Sequence, residues 1–186
     1  GFLSREPGGK ARFGFVHGNW ALDNSDPRGA NCGVDRELEV LRAAGCYADF
    51  TMPSAPHPTQ TRTINSLYYA KETDQPKSHD TGIHAEVGGT TALRDERDQL
   101  LCVQGPLAPN FGRRKWGVLP RLENAELSGV NPPDMERFNL WKRQGICVRN
   151  NPNWAFIKLH THAAIERNMP ALLGDPAHRF HEALAK

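Results

Sequence analysis

The sequence has no long apolar run. No stretch approaches the ~20 residues that cross a bilayer, so a membrane-spanning helix is not expected. It also lacks a charge bias. Lys and Arg number 23 against 21 Asp and Glu, and the net charge of +2 supplies no whole-molecule field for nucleic acid. The four cysteines, Cys32, Cys46, Cys102 and Cys147, form no C-x-x-C pair, which argues against a structural zinc site. Cys46, Cys102 and Cys147 lie among apolar residues and read as small buried hydrophobes in a reducing, cytoplasmic setting. There is no G-x-S-x-G, P-loop or G-x-G-x-x-G, so neither a serine-hydrolase elbow nor a nucleotide cradle is expected. The chain opens GFLSREPGGKARF, without an initiator Met or a signal-peptide core, and the natural start is expected upstream.

What is present is a loop-rich globular composition. Hydrophobic residues make up 38% of the 186, alongside 17 Gly and 14 Pro, which favours one domain with long ordered loops over a helical bundle. Apolar residues at helical spacing (Val34, Leu38, Leu41) predict a helix over 34–44, stopped by Gly45. Residues 134–144 and 176–185 also read as helices. Strands are predicted over 13–17, 46–51, 66–70, 100–104 and 155–162, with a weaker one near 83–87. Residues 18–33, 52–66 and 105–120 read as long loops, a length usually tied to function. The strand–loop–helix–strand order over 13–51 is that of a parallel crossover. The expected fold is therefore α/β with a mainly parallel, barrel-like sheet.

Three segments combine a buried strand with polar residues at its end: FGFVHGNWALDNS, CYADFTMPSAPHPTQT and WAFIKLHTHAA. Parallel α/β proteins place their working residues at the carboxyl ends of strands. One mouth lined by His17, Asn19, Trp20, Asp49, His160 and His162 is therefore expected. On a continuous strand Phe156, Lys158, His160 and His162 share a face. Two imidazoles so spaced suit two ligands of one metal, or a ligand beside a general acid or base, and His17 is a third candidate ligand. Trp20 reads either as a stacking face for a sugar or as core. Asp49, inside an apolar strand, needs partners. It could orient a histidine, bind a metal or accept backbone N–H bonds. Asp23 and Asn24 read as loop-shaping residues. His79 and His84 read as loop histidines, and His178 and His181 as surface residues. Arg113, Arg114 and Lys115 precede Trp116, a second candidate stacking face, and read as an anion site or a solvated loop.

The order of these segments resembles the polysaccharide deacetylase, or NodB-homology, family. The likeness lies in FGFVHGNWALDNS, the helix VDRELEVLRAAG, then CYADFTMPSAP and FIKLHTHAA. The resemblance implies a distorted (β/α) barrel and metal-dependent removal of acetyl groups from a glycan, with zinc the expected metal. His160, or alternatively His162, matches the family's catalytic histidine. The acidic pair and H-x-x-x-H segment that supply metal ligands in that family do not occur here, and Thr161 stands where an acidic residue is usual. The chain is thus expected to be the C-terminal part of such a protein or a divergent relative. Other readings are a glycoside hydrolase with paired carboxylates, and a non-catalytic glycan-binding module.

Overall fold

The structure, a computed structural model, describes residues 4–5, 7–9, 11–31, 33–88, 99–162 and 165–185. Cys32 and the last two residues of WAFIKLHTHAA lie outside them. In chain order the first half comprises β1 (Ser4–Arg5), β2 (Ala11–Phe15), α1 (Glu37–Ala44), β3 (Cys46–Asp49), β4 (Leu67–Lys71), β5 (Ile83–His84) and β6 (Gln99–Val103). The second half comprises β7 (Ala108–Lys115), β8 (Leu119–Glu123), β9 (Glu126–Leu127), α2 (Met135–Lys142), β10 (Cys147–Val148) and β11 (Asn151–Ala155). It ends with β12 (His160–Thr161), α3 (Met169–Leu173) and α4 (Asp175–Leu184).

Among the described residues the main sheet has six strands in the order β1-β2-β3-β6-β4-β5. β2, β3 and β6 run parallel, whereas β1, β4 and β5 each pair antiparallel with their neighbours. The expected mainly parallel, barrel-like sheet does not form. The sheet is open and mixed. A parallel barrel needs a covering helix after each strand. Among the described residues α1 alone crosses between neighbouring parallel strands. The 50–66 loop instead carries the chain over the end of β6 and back into β4 in the opposite sense.

Side-chain alternation sorts the core. Tyr68, Ala70, Leu100 and Cys102 join Leu22, Leu38, Leu41 and Cys46 on the α1 side. Their alternate neighbours Leu67, Tyr69, Leu101 and Val103 pack with Ile146 and Val148 on the other. Both faces are thus covered, which explains why these strands read as nearly continuous apolar runs. A separate cluster of Ala125, Trp141 and Phe180 joins β9, α2 and α4.

Three local readings change. α1 is shorter than predicted because Arg36 takes a left-handed φ of 58°, and it ends at Gly45 with φ 105° as its sequence suggests. The single strand expected over 155–162 does not form: β11 ends at Ala155, residues 156–159 are irregular, and only His160–Thr161 make a short strand. β11 pairs with β10, and β12 pairs in parallel with β9, with His160 opposite Glu126. The supposed loop over 105–120 contains most of the β7–β8 hairpin.

Candidate functional site

The carboxyl ends of β2 and β3 open into one cavity of about 530 Å³. Its wall takes His17, Asn19 and Trp20 from the loop after β2, and Phe50 and Thr51 from the turn after β3. The opposite side is the run Lys158 to His162. Three segments, the last more than a hundred residues beyond the first two, therefore share one concave surface. Asp49 and Trp116 do not line it.

The first wall is built from unusual backbone. Asn19, Trp20, Asp23 and Asn24 all have left-handed φ, between 48° and 60°. For a bulky residue such as Trp20 this conformation is strained and persists only when the surroundings dictate it. Asp23 supplies much of that dictation. Its buried carboxylate accepts from Glu37 N at 3.3 Å and Ser78 N at 2.7 Å, while its own N–H donates to Glu37 Oε2 at 2.7 Å. Trp20 meets His57 edge-on, with ring centroids 5.6 Å apart. His17 Nδ1 lies against its neighbour's carbonyl, Gly18 O, and its Nε2 stands 3.7 Å from Glu37 Oε1. Burial raises the Glu37 carboxyl, opposed by the Asp23 N–H and by His17.

Asp49 is a positioning residue beneath the floor. It is 2% exposed and accepts from Thr51 N at 3.0 Å and Thr51 Oγ1 at 2.7 Å. Thr51 Oγ1 in turn accepts from His17 N at 2.8 Å, so one carboxylate holds the exits of β2 and β3 together. Of the roles open to Asp49, hydrogen bonding to the following turn is the one its contacts show. Burial pushes its carboxyl up to about 6, against the pull of Thr51 and, less strongly, Lys158.

Lys158 is the functional candidate that the sequence reading passed over. Its ammonium donates to Phe50 O at 2.6 Å and to Met52 O, which leaves one of its three N–H donors. Burial lowers it to about 8, opposed by Asp49. The available signal was a lone Lys in the apolar run AFIKLH, matching a lone Asp in the apolar run CYADF. Gly105 lets Lys158 approach, because a Cβ there would lie 2.7 Å from Lys158 O.

His160 is mostly buried, and its Nδ1 has no hydrogen-bond partner. Burial lowers it to about 4, with the charges of Lys158 and His162 acting in the same direction. It is therefore a neutral imidazole at pH 7. His162 is exposed at the rim. His79, read as a loop histidine, is fully buried with neither ring nitrogen hydrogen-bonded, and burial lowers it to about 4. His178 and His181 are exposed on α4.

Among the described residues, no group of three or more His, Cys, Asp or Glu side chains converges to hold a metal ion. His160 and His162 share the cavity wall, but His17 turns its Nε2 toward Glu37. This donor set does not fit a complete metal centre. Among the same residues no helix is long and apolar enough to cross a membrane.

Comparison with protein-family models, curated proteins and solved structures finds no match to this chain. Function therefore rests on the chemistry of the cavity itself.

Proposed function

We propose that the chain is a carbohydrate-active hydrolase that removes an acyl group from the amine of a glycan. The supporting observation is the convergence of a neutral buried imidazole, a partly used ammonium and an indole on one cavity. The volume is that of a small-molecule site, with room for one or two sugar rings. Trp20 presents an apolar face beside the polar amide of Asn19, which suits a sugar ring and its hydroxyls.

In this reading His160 takes a proton from water as the water oxygen attacks the amide carbonyl. The remaining Lys158 N–H stabilises the negative charge that develops on the carbonyl oxygen. The C–N bond then breaks, the proton held by His160 passes to the departing amine, and the products are a carboxylate and a free amino sugar. His160 is unprotonated in its resting state, and its lowered pKa makes it a ready proton donor to the amine after that first transfer. His162 lies at the rim, where the glycan chain would leave the cavity.

The test is acetate release from oligomers of N-acetylglucosamine, together with equilibrium binding of the same oligomers. The wild type should release acetate. H160A should lose at least about a hundredfold in turnover, the usual loss on removing a general base, while retaining binding. Binding without release, unaffected by H160A and lost in W20A, would replace this reading with the non-catalytic glycan module. No binding at all would remove both.

A further inference from the structure

We propose that the tip of the β7–β8 hairpin docks on an anionic lipid surface, with Trp116, Val118 and Leu119 entering the interface. The hairpin is rooted in the protein by Ala108, Asn110 and Glu123, all buried. Beyond that root its side chains face solvent. Trp116 is 76% exposed, Val118 69%, Leu119 53% and Phe111 65%. Trp116, Val118 and Leu119 cluster at the turn between Lys115 and Leu119, where a penetrable interface can receive them.

The loop geometry adds an independent argument. Lys115 and Leu119 are paired, and Trp116 and Gly117 turn the chain with φ of 53° and 74°. Two successive left-handed residues in a tight hairpin favour Asn-Gly. A tryptophan in the first position is strained, and this one is also held in water. Among the described residues its one ring contact is the Lys115 ammonium, 4.4 Å from the ring centroid. The fold gains almost nothing from an indole here. Strain and exposure maintained without an internal return point to an external partner.

Charge identifies that partner. Arg114, Lys115 and Arg121 lie on the hairpin without a carboxylate partner among the described residues. Arg113, also on it, is paired with Asp134 at 2.7 Å. Glu123, the acidic residue of the hairpin, is buried at the root against Arg137 at 2.7 Å. The exposed part of the hairpin is thus wholly basic around an apolar tip. Trp at headgroup depth flanked by Lys and Arg is the side-chain pattern of interfacial anchoring. A nucleic-acid strand would use the cations and the indole, but it offers nothing to Val118 and Leu119. Such docking is peripheral and independent of any membrane-spanning helix.

The experiment is sedimentation of the chain with vesicles, either pure phosphatidylcholine or an equal mixture of phosphatidylcholine and phosphatidylserine. The wild type should bind the mixed vesicles in preference, and added salt should weaken the binding. W116N restores the favoured Asn-Gly loop, so its urea midpoint should equal or exceed that of the wild type. Its vesicle affinity should nevertheless fall at least about tenfold, the scale of one buried aromatic side chain. R114Q/K115Q should lose about 30-fold on mixed vesicles, and little on neutral ones. Unchanged binding by W116N, equal binding to both vesicles, or no binding by the wild type would each overturn the proposal. Binding of polyuridylate without binding of vesicles would overturn it in favour of a nucleic acid.

Discussion

Lys158 Nζ donates to Phe50 O at 2.6 Å, joining residues 108 apart in sequence. The same ammonium reaches Met52 O, and Met52 O also accepts from Gly105 N at 3.2 Å. The run that carries His160 is therefore fastened to the exits of β3 and β6 by one cation. Lys158 is thus both a fastening of the site and a wall of it.

K158M tests that double role. The methionine fills similar space but leaves Phe50 O without its donor and Asp49 without its nearby positive charge. A loss of about 2 kcal/mol in urea denaturation is expected. The Asp49 carboxyl should rise further, above about 6. Acetate release should fall with H160A-like severity, whereas a purely structural lysine would leave the turnover of the folded fraction intact.

Asp49 gives the protein an unusual dependence on pH. Its folded-state pKa of about 6 exceeds the ordinary 3.8, so the native protein holds this proton more tightly than the unfolded chain does. The Asp49 contribution is fully present below pH ~4 and is lost as pH rises through about 6. The loss amounts to about 3 kcal/mol. D49N cannot ionise. Its stability relative to wild type should therefore improve by up to that amount between pH ~4 and ~7.5, whatever the fixed cost of the amide facing Thr51. Urea curves at the two pH values check this. A constant difference would show that Asp49 is not held protonated.

His79 acts in the opposite direction. Its folded pKa of about 4 lies below the ordinary 6.5, so its contribution is present above pH ~6.5 and is lost as pH falls through about 4. At pH ~5 the loss is about 2 kcal/mol. H79L should match the wild type within about 1 kcal/mol at pH ~7.5, because neither ring nitrogen makes a hydrogen bond. It should be the more stable protein by about 2 kcal/mol at pH ~5. Thermal melts of the two proteins in acid would show a reversed order if His79 were protonated in the native state.

Arg137 braces the strand that pairs with the His160 segment. It is 1% exposed and clasps Glu123 with Nε at 3.0 Å and Nη2 at 2.7 Å, while also donating to Glu126 O. Glu126 belongs to β9, which pairs with the strand bearing His160. R137M should destabilise by about 3–5 kcal/mol, because it strands Glu123 as a buried charge. The surviving folded fraction should show weakened glycan binding, through displacement of β9 and β12. A Tm near that of wild type would refute the buried pairing.

Much of the local structure was legible in the residues. Leu38 and Leu41 announce α1, Gly45 ends it, and Asp134 caps α2 by accepting from Arg137 N at 2.8 Å. The apolar runs around Tyr68 and Leu101 announce β4 and β6. The β7–β8 hairpin was hidden because Pro109, Gly112 and Pro120 interrupt its alternation. An isolated hairpin tolerates them, since its outer edges need no ladder partners. The burial of His79 was hidden because its neighbours in SHDTG are polar. They are satisfied at a distance, by Asp23 accepting from Ser78 N and Lys77 N.

The sequence by itself determined the strands and the helix of the first half, β2, α1, β3, β4 and β6, and that the exits of β2 and β3 carry His17, Asn19, Trp20 and Asp49. Those properties follow from side-chain periodicity and backbone preference, which act over a few residues. Only the tertiary structure decided that the sheet is open and mixed, that Lys158 joins the cavity, and that Trp116 stands apart on an exposed hairpin. These outcomes depend on strand pairing and buried polar contacts between residues far apart in the chain. No local pattern encodes such partners.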